Sequence, residues 1–323
     1  YGLTVQNLEA VKILTIDGQE LLFSRQDEGM GLLALMTGSE GLLGVISEIT
    51  VKLTKKPQVA KLVMAGFDSV RDCANTVAEI IKIGVIPAGL EMMDQFAIEA
   101  SEAFAQAGYP LGAKALLLCE LDGSEDLVKE DLNKVINILS KASSVRVSEN
   151  EEERLLFWKG RKSAFPAVGR LSPDYYCMDG TIPKRFLADV LEKISNLSIS
   201  YDLRVANVFH AGDGNLHPLI LYDAAQPGEL EKAEDFGNDI LKLCVDMGGS
   251  ITGEHGVGIE KLDAMCHQYN SSELEIFHQI KAVFDPHSLL NPGKAVPTLH
   301  RCAELGNMHV HNGNLPHPEL ERF

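Results

Sequence analysis

Short apolar runs of strand character alternate with amphipathic helical segments through the middle of the chain. The run KLVMAGF at 61–67 is followed by apolar residues that recur at helical spacing, namely Val70, Cys73, Ala74, Val77 and Ile81. Asp68 is predicted to cap the start of this helix and Gly84 its end. Strands and helices that alternate over short connections indicate layered α+β packing of the ferredoxin-like sort.

The same alternation continues towards the end of the chain. Strands are predicted at 90–93, 113–121 and 175–182, and on both sides of the turn at 211–215. One helix is predicted to follow the strand at 90–93 and to end at about residue 107. Further helices are predicted at about 124–142, 151–165, 183–196, 226–247 and 271–284.

The first 57 residues follow a different pattern. Two apolar runs within 3–23 are joined by Asp17-Gly18, a pair that favours a tight β-hairpin turn. Strand-like alternation then extends from Val45 to Leu53, before Lys55-Lys56-Pro57 interrupts it. We therefore predict a domain boundary near Pro57.

Composition limits the classes of function. A chain of 323 residues is expected to form two domains, and its net charge of −17 opposes binding to nucleic-acid phosphates. No uninterrupted run of about 18 apolar residues encodes a membrane span. Six widely separated cysteines without C-x-x-C spacing disfavour a zinc ribbon, an iron–sulfur site or a disulfide framework, so reduced thiols in a cytoplasmic protein are expected. Because the chain opens at Tyr1 without an initiator methionine, further sequence is expected upstream.

All ten histidines lie between His210 and His317, which directs attention to the last third of the chain. In FHAGDGNLHP at 209–218, a turn centred on Asp213-Gly214 would place His210 opposite His217 on one face of a hairpin. Cross-strand partners lie about 4.5–5.5 Å apart, so two imidazoles could converge on zinc, iron or manganese. The alternative is ordinary cross-strand packing of two histidines with satisfied hydrogen bonds.

A catalytic metal also needs a third ligand, and GGSITGEHGVGIEK at 248–261 is the best supplier. Its acid and base, Glu254 and His255, stand in a run of five glycines, which permit close approach of the backbone to a ligand. On an extended backbone the two side chains would point to opposite sides, so that Glu254 faces a metal and His255 faces the substrate as a base.

Two other features could bind small molecules. Arg161 and Arg170 in WKGRKSAFPAVGR at 158–170 could hold a carboxylate, although a solvated helix face is the simpler interpretation of either arginine. The segment TGSEGLLGVI at 37–46 could pass its backbone close to a pyrophosphate, but it lacks both the dinucleotide fingerprint and the P-loop pattern.

Four motifs in order resemble the FAD-linked 2-hydroxy-acid oxidases and dehydrogenases of the vanillyl-alcohol-oxidase type: TGSEGLLGVI, FHAGDGNLHP, GGSITGEHGVG and LLNPGK at 289–294. The resemblance covers essentially the whole chain. It implies that residues 1–57 are the last part of a VAO/PCMH-type FAD-binding domain whose N-terminal loop is missing. Residues 58–323 would then be the ferredoxin-like α+β cap that builds the substrate site, with the segment after about 285 returning towards the flavin.

The resemblance also assigns roles by position. It implies that His210, His217 and Glu254 hold a divalent metal, that His255 is the general base, and that Arg161 and Asn215 help to hold the substrate. The residues implied to contact FAD are Gly38, Ser39, Gly41, Gly44, Ile46 and Asn291. Relatives that act on larger hydroxydiacids use a lysine in the strand corresponding to 176–179, which here reads YCMD and favours a smaller, singly charged substrate.

The implied function is oxidation of a small 2-hydroxy acid, glycolate or D-lactate, to the 2-oxo acid, with metal-assisted deprotonation and hydride transfer to flavin. Electrons would pass to companion subunits, one flavin-containing and one with iron–sulfur clusters, at the cytoplasmic face of the membrane. Two alternatives remain open: a non-catalytic metal-binding or subunit-docking fragment, and a zinc hydrolase that uses the same metal ligands. The tail histidines His300, His309, His311 and His317 are interpreted as surface residues.

Overall fold

A computed structural model describes residues 3–29 and 31–298, which fall into two compact units. The sheet unit spans Lys55–Gly253. The terminal unit joins the residues up to Thr54 with those from Glu254 onward. The tail histidines predicted to be surface residues lie outside the described part of the chain.

The strands in the described part of the chain are β1 (Leu8–Leu14), β2 (Glu20–Ser24), β3 (Val45–Val51), β4 (Val59–Phe67), β5 (Gly89–Asp94), β6 (Ala115–Gly123), β7 (Ser144–Val147), β8 (Asp174–Cys177), β9 (Val205–His210) and β10 (Asn215–Tyr222). The α-helices are α1 (Thr4–Asn7), α2 (Leu32–Met36), α3 (Val70–Lys82), α4 (Gln95–Ala105), α5 (Glu125–Ile138), α6 (Glu151–Lys162), α7 (Ala164–Val168), α8 (Leu187–Tyr201), α9 (Glu229–Asp246), α10 (Leu262–Gln268) and α11 (Ser271–Phe284). Short 3₁₀ turns cover Leu139–Lys141 and Lys184–Phe186.

The sheet unit is built on seven antiparallel strands in the order β7-β4-β6-β5-β9-β10-β8. Helices cover both faces, so β6 is continuously apolar from Ala115 to Cys119 instead of alternating with polar residues. Odd- and even-numbered residues of β4 pack on opposite sides of the sheet. Val63 and Ala65 pack towards α3, α5, α8 and α9, whereas Leu62 and Met64 pack towards α4, α6 and α7. We call the second side the α6 face. This two-sided packing confirms the predicted α+β class.

Several local predictions need correction. The N-cap of α3 is Ser69, whose hydroxyl accepts a hydrogen bond from the Asp72 amide, and not Asp68. The short elements β7, α2 and α10 were not predicted, because each has too few residues to establish a period. Helix α11, by contrast, occupies the predicted range, starting from an Asn270 and Glu273 capping box.

The terminal unit contains a three-stranded antiparallel sheet in the order β2-β1-β3. The predicted hairpin is present, but Leu14 pairs with Glu20, so the connection covers residues 15–19 and is longer than a two-residue turn. Gly18 takes φ +77° there, the left-handed conformation that its lack of a Cβ permits.

A buried ion pair holds the end of the terminal unit. Lys281 Nζ lies 2.8 Å from a carboxylate oxygen of Asp285, which also accepts hydrogen bonds from the amides of Leu289 and Leu290. Burial opposes ionisation of Asp285, but these donors outweigh it and lower the pKa of Asp285 to about 2. Lys281 also donates to the carbonyl of Leu42, so residues 289–290 are held beside the segment that follows TGSEG.

Among the described cysteines, Cys73, Cys119, Cys177 and Cys244 carry free thiols. Burial raises the pKa of the Cys119 thiol to about 12, which keeps it protonated and chemically inert at neutral pH.

Asp94 joins the middle of the sheet unit to one side of the hairpin β9–β10. One of its carboxylate oxygens accepts from the Ala97 amide at the start of α4, and the other accepts from the backbone and side-chain amides of Asn207 on β9. Since β5 and β9 share only two paired positions, this link helps to fix their separation. Burial raises the pKa of Asp94 to about 6, although the hydrogen bonds oppose the rise.

This raised pKa predicts a measurable pH dependence of stability. The folded state binds the proton of Asp94 more tightly than the unfolded chain does, so the free energy of unfolding falls as the pH rises from about 4 to about 6, by up to about 3 kcal/mol. Urea titrations followed by Trp158 fluorescence report on the sheet unit, because the chain has a single tryptophan. Asp94→Asn should remove this fall, and the exposed Asp68→Asn should keep it. Equal pH slopes in wild type and Asp94→Asn would contradict the assignment.

Candidate active site

The hairpin β9–β10 carries both candidate histidines, but its register differs from the predicted one. His210 pairs with Asn215, and His217 pairs with Val208, so the connection covers four residues, 211–214, instead of two. The error amounts to two positions, and a strand has a side-chain period of two, so both histidines still lie on the same face of the sheet. Their rings are perpendicular, with centroids 5.1 Å apart.

This face is the α6 face of the sheet. His210 follows Val208 by two positions on β9, and His217 precedes Leu219 by two on β10, and both apolar residues belong to the core under α6. Phe165 of α7 packs its ring edge-on against His217, with centroids 6.2 Å apart. The histidines therefore project into an otherwise apolar layer, where their polar atoms need specific partners.

Glu91 supplies one such partner. It lies in β5 with only 8% of its surface exposed, and its Oε1 is 2.9 Å from Nδ1 of His210. A carboxylate accepts hydrogen bonds, so Nδ1 of His210 is the donor in this contact and the imidazole is held in one orientation. Sequence analysis missed Glu91, although an acid in the apolar strand GLEMMD is itself unusual.

Arg161 completes a buried charged chain with Glu91. Its Nε and Nη2 lie 3.0 Å and 2.8 Å from the same oxygen of Glu91, and only 7% of its surface is exposed. Nη2 meets that oxygen at an angle too poor for a hydrogen bond and has no other partner in residues 3–29 and 31–298. The predicted substrate-binding arginine is thus fixed in place by Glu91. Arg170, the other candidate, is exposed and stacks on Phe104 at 4.2 Å.

Asn215 is buried beside the two histidines. Its Oδ1 has no hydrogen-bond partner in the described part of the chain, which is unusual for a buried amide and fits a group that binds substrate or metal. A Cβ at Gly253 would come within 2.6 Å of the Asn215 side chain, so only glycine fits there.

Asp179 holds Gly253 in that place. Fully buried, it accepts hydrogen bonds from the Thr252 hydroxyl at 2.6 Å and from the Gly253 amide at 3.0 Å through one carboxylate oxygen. Glu254, the predicted third metal ligand, is the next residue in the chain. Asp179 and Cys177 also bring a ligand atom within 4.8 Å of a ring nitrogen of His217, which makes both alternative metal ligands within the sheet unit. Neither residue was predicted to be a metal ligand.

Glu254 and His255 open the second part of the terminal unit. The backbone is bent at 253–255 instead of extended, so the predicted projection to opposite sides is wrong. His255 Nε2 lies 3.8 Å from Glu254 Oε1, and both side chains are about half exposed. The acid and the base thus lie next to each other.

The residues implied to contact FAD differ in their surroundings. Gly38 and Gly41 take φ of +77° and +75° with open space or only a distant contact where a Cβ would stand, and the Ser39 hydroxyl is buried without a hydrogen-bond partner in the described residues. These three features fit a backbone that accommodates a phosphate or flavin group. Gly44 has a different explanation, because a Cβ there would meet Ile13 at 3.0 Å, within the packing of the terminal unit.

The other two implied flavin contacts are also in the terminal unit. Ile46 of β3 is 38% exposed, so its side chain can contact a ligand. Asn291 is exposed and donates from Nδ2 to the carbonyl of Glu40 at 2.6 Å. The motif LLNPGK is therefore joined to TGSEG by this hydrogen bond as well as by Lys281.

Comparison with known proteins places the chain in a family. Residues 56–295 match the sequence profile of the C-terminal domain of FAD linked oxidases. The chain belongs to this family of FAD-linked oxidases, which confirms the resemblance stated from its motifs.

Several curated proteins are similar to this chain in sequence. The chain is 60% identical over 328 residues to glycolate oxidase subunit GlcD of Escherichia coli K12, covering all of this chain and 66% of that protein. It is 35% identical over 300 residues to GlcD of Bacillus subtilis (91% and 64% covered) and 30% over 310 residues to mitochondrial D-lactate dehydrogenase [cytochrome] of Arabidopsis thaliana (94% and 54%). The chain thus spans about two thirds or less of the length of these relatives.

Solved structures agree on the fold. The chain superposes on p-cresol methylhydroxylase with a TM-score of 0.73 at 15% identity, covering 91% of this chain and 66% of that one. For alkyldihydroxyacetonephosphate synthase the TM-score is 0.64 at 15% identity, with 90% and 55% covered. These matches confirm the predicted VAO/PCMH-type fold. In the described residues, every helix is too short or too polar to cross a membrane.

The contact between Glu91 and His210 predicts an effect on metal binding. Replacing an outer partner of a metal-ligating histidine weakens affinity by about 10–100-fold, so Glu91→Gln should raise the Kd for Mn²⁺ and Zn²⁺ by that factor in a calorimetric titration. The exposed Glu99→Gln, on α4, is the matched control and should bind like wild type. His217→Ala should abolish binding, as checked by elemental analysis. Wild-type affinity in a folded Glu91→Gln protein would rule out this role for Glu91.

Proposed function

We propose that this chain provides the substrate-oxidising site of an FAD-dependent 2-hydroxy-acid dehydrogenase or oxidase. The observation that carries the proposal is the cluster of His210, His217, Asn215 and Arg161 on one face of an otherwise apolar layer, with an unsatisfied amide oxygen on Asn215 and with Arg161 held by Glu91. A buried acceptor without a hydrogen bond is costly to the fold unless a ligand uses it.

A divalent metal, Zn, Fe or Mn, bound by His210, His217 and Glu254 would act as a Lewis acid on the substrate hydroxyl, and FAD would accept the hydride. The donor set supports this assignment, since neutral imidazole and carboxylate suit all three ions. The contact of Nδ1 of His210 with Glu91 supports it as well, because a carboxylate commonly orients a metal-ligating histidine.

The protein's own groups divide the remaining work. Arg161, which Glu91 holds in place, pairs with the substrate carboxylate, and the Asn215 amide orients the neighbouring oxygen. His255 accepts the hydroxyl proton at a ring nitrogen, since imidazole is the natural acceptor near neutral pH. Gly38, Ser39, Gly41, Gly44, Ile46 and Asn291 are the proposed FAD contacts, of which Gly44 is also required by packing.

A small monocarboxylate is the proposed substrate, glycolate first and D-lactate second. Arg161 is the one guanidinium in the cluster, and the strand at Tyr176–Asp179 offers no lysine for a second carboxylate. The names of the relatives support the same two acids. We further propose that electrons pass to companion flavin-containing and iron–sulfur subunits at the cytoplasmic face of the membrane.

One observation favours a second candidate, a docking function without catalysis. Strand β3 is exposed along its length, with Val45, Ile49 and Val51 each more than half exposed, and such an apolar strand can serve a partner. Retention of flavin together with turnover would exclude this candidate for the protein that contains the chain.

The proposed base predicts a specific loss of activity. In the protein that contains this chain, loaded with FAD, His255→Ala should lower kcat/KM for glycolate by about 10²–10⁴-fold, measured with an artificial electron acceptor dye. Flavin absorbance and metal content should stay at wild-type levels. His267→Ala, an exposed histidine on α10, is the control and should leave turnover unchanged. Normal turnover in His255→Ala would eliminate the base assignment.

A further inference from the structure

Glu40 has an unusual backbone conformation. It lies between Ser39 and Gly41 in TGSEG with φ +52°, in the left-handed region, where a residue with a Cβ is less stable than glycine by about 1 kcal/mol. Several neighbouring positions in the motif carry glycine, so a glutamate here needs a reason that lies in its side chain.

The side chain of Glu40 binds two successive backbone amides. Oε1 accepts from the Val257 amide at 2.7 Å, and Oε2 accepts from the Gly258 amide at 2.8 Å. Both oxygens of the carboxylate are thus engaged by the same short segment. Charge-assisted hydrogen bonds of this kind are about twice as strong as neutral ones.

The bound segment directly follows the proposed base. Val257 is two residues after His255, with Gly256 between them at φ +85°. A Cβ at Gly256 would lie 2.8 Å from Oε1 of Glu40, so glycine is needed for the carboxylate to reach the amides. Glu40 therefore closes the loop on its C-terminal side, immediately beyond the acid and base.

Glu40 also connects this loop to a third motif. Its backbone carbonyl accepts from Nδ2 of Asn291, and Asn291 follows the segment that Lys281 and Asp285 hold. Three motifs of the terminal unit, TGSEG, EHGVG at 254–258 and LLNPGK, meet at this one residue. The proposed flavin-binding motif and the proposed base are consequently parts of one hydrogen-bonded arrangement.

We propose that Glu40 is a positioning residue that fixes His255 for proton transfer by chelating the amides of Val257 and Gly258. This proposal rests on the proposed function, because it assigns Glu40 a role through His255. A displacement of a catalytic group by about 1 Å can cost about 100-fold in rate, so loss of the chelate should act on kcat more than on substrate binding.

Glu40→Gln is the main test, since glutamine keeps the size of the side chain but offers only one acceptor oxygen to the two amides. In the complete FAD-loaded protein, kcat for glycolate should fall about 10–100-fold, KM should change less than about threefold, and flavin content should be unchanged. Hydrogen exchange at the Val257 and Gly258 amides should become faster. Glu260→Gln, an exposed acid in the same segment, is the matched control and should behave like wild type.

Glu40→Gly distinguishes the effect of the side chain from the effect of the backbone conformation. Glycine relieves the left-handed conformation but removes the carboxylate, so the variant should be at least as impaired as Glu40→Gln despite an unstrained backbone. It also serves as the second variant if Glu40→Gln does not fold. Recovery of wild-type kcat in Glu40→Gly would overturn the proposal.

The double variant Glu40→Gln/His255→Ala tests the route of action. If Glu40 acts through His255, the double variant should be no slower than His255→Ala alone, because the loss is already complete. Multiplication of the two losses would overturn the proposal while leaving the proposed function intact. Wild-type turnover in His255→Ala would defeat both, whereas the exchange rates at Val257 and Gly258 would still report whether the chelate exists.

Discussion

The ion pair between Glu91 and Arg161 is the interaction on which the candidate site depends. Both residues lie in the layer between the sheet and α6, where a single unpaired charge would be strongly destabilising, about 3–5 kcal/mol when its partner is removed. Mutual neutralisation allows the layer to keep a carboxylate and a guanidinium among alanines, leucines and phenylalanines. The second oxygen of Glu91 contacts His210 and sets its orientation. The ion pair that stabilises the layer therefore also positions a residue of the candidate site.

The two units hold their polar groups in place by different means. In the sheet unit, charged and polar side chains are fixed by burial: Asp179 anchors Gly253, and Asp94 ties β5 to β9. In the terminal unit, the glycine-rich segments have few side chains to bury, and their backbones are fixed by hydrogen bonds to Glu40 and Lys281. Glu254 and His255 lie where the chain leaves the unit that is fixed by buried side chains and enters the unit whose backbone is fixed by hydrogen bonds.

Local pattern was sufficient to predict the long elements and to predict that the two histidines share a face, because burial imposes periods of two and 3.6 on the sequence. It failed where the outcome depends on contacts between distant residues. The register of β9 and β10 follows from a four-residue connection that no local signal specified, and the role of Glu91 depends on partners 70 and 119 positions away. The conformation of 253–255 was missed for the same reason, since Asp179 holds Gly253 from 74 positions away.

The four-residue connection between β9 and β10 has a consequence for how such sites tolerate insertions. Each histidine is kept on its face by the apolar residues of its own strand, Val208 for His210 and Leu219 for His217, and not by the number of residues that join the strands. Lengthening the AGDG segment would leave both imidazoles facing α6. The interval between the two histidines is therefore a poor criterion for recognising this arrangement in other sequences, and the alternation within each strand is a better one.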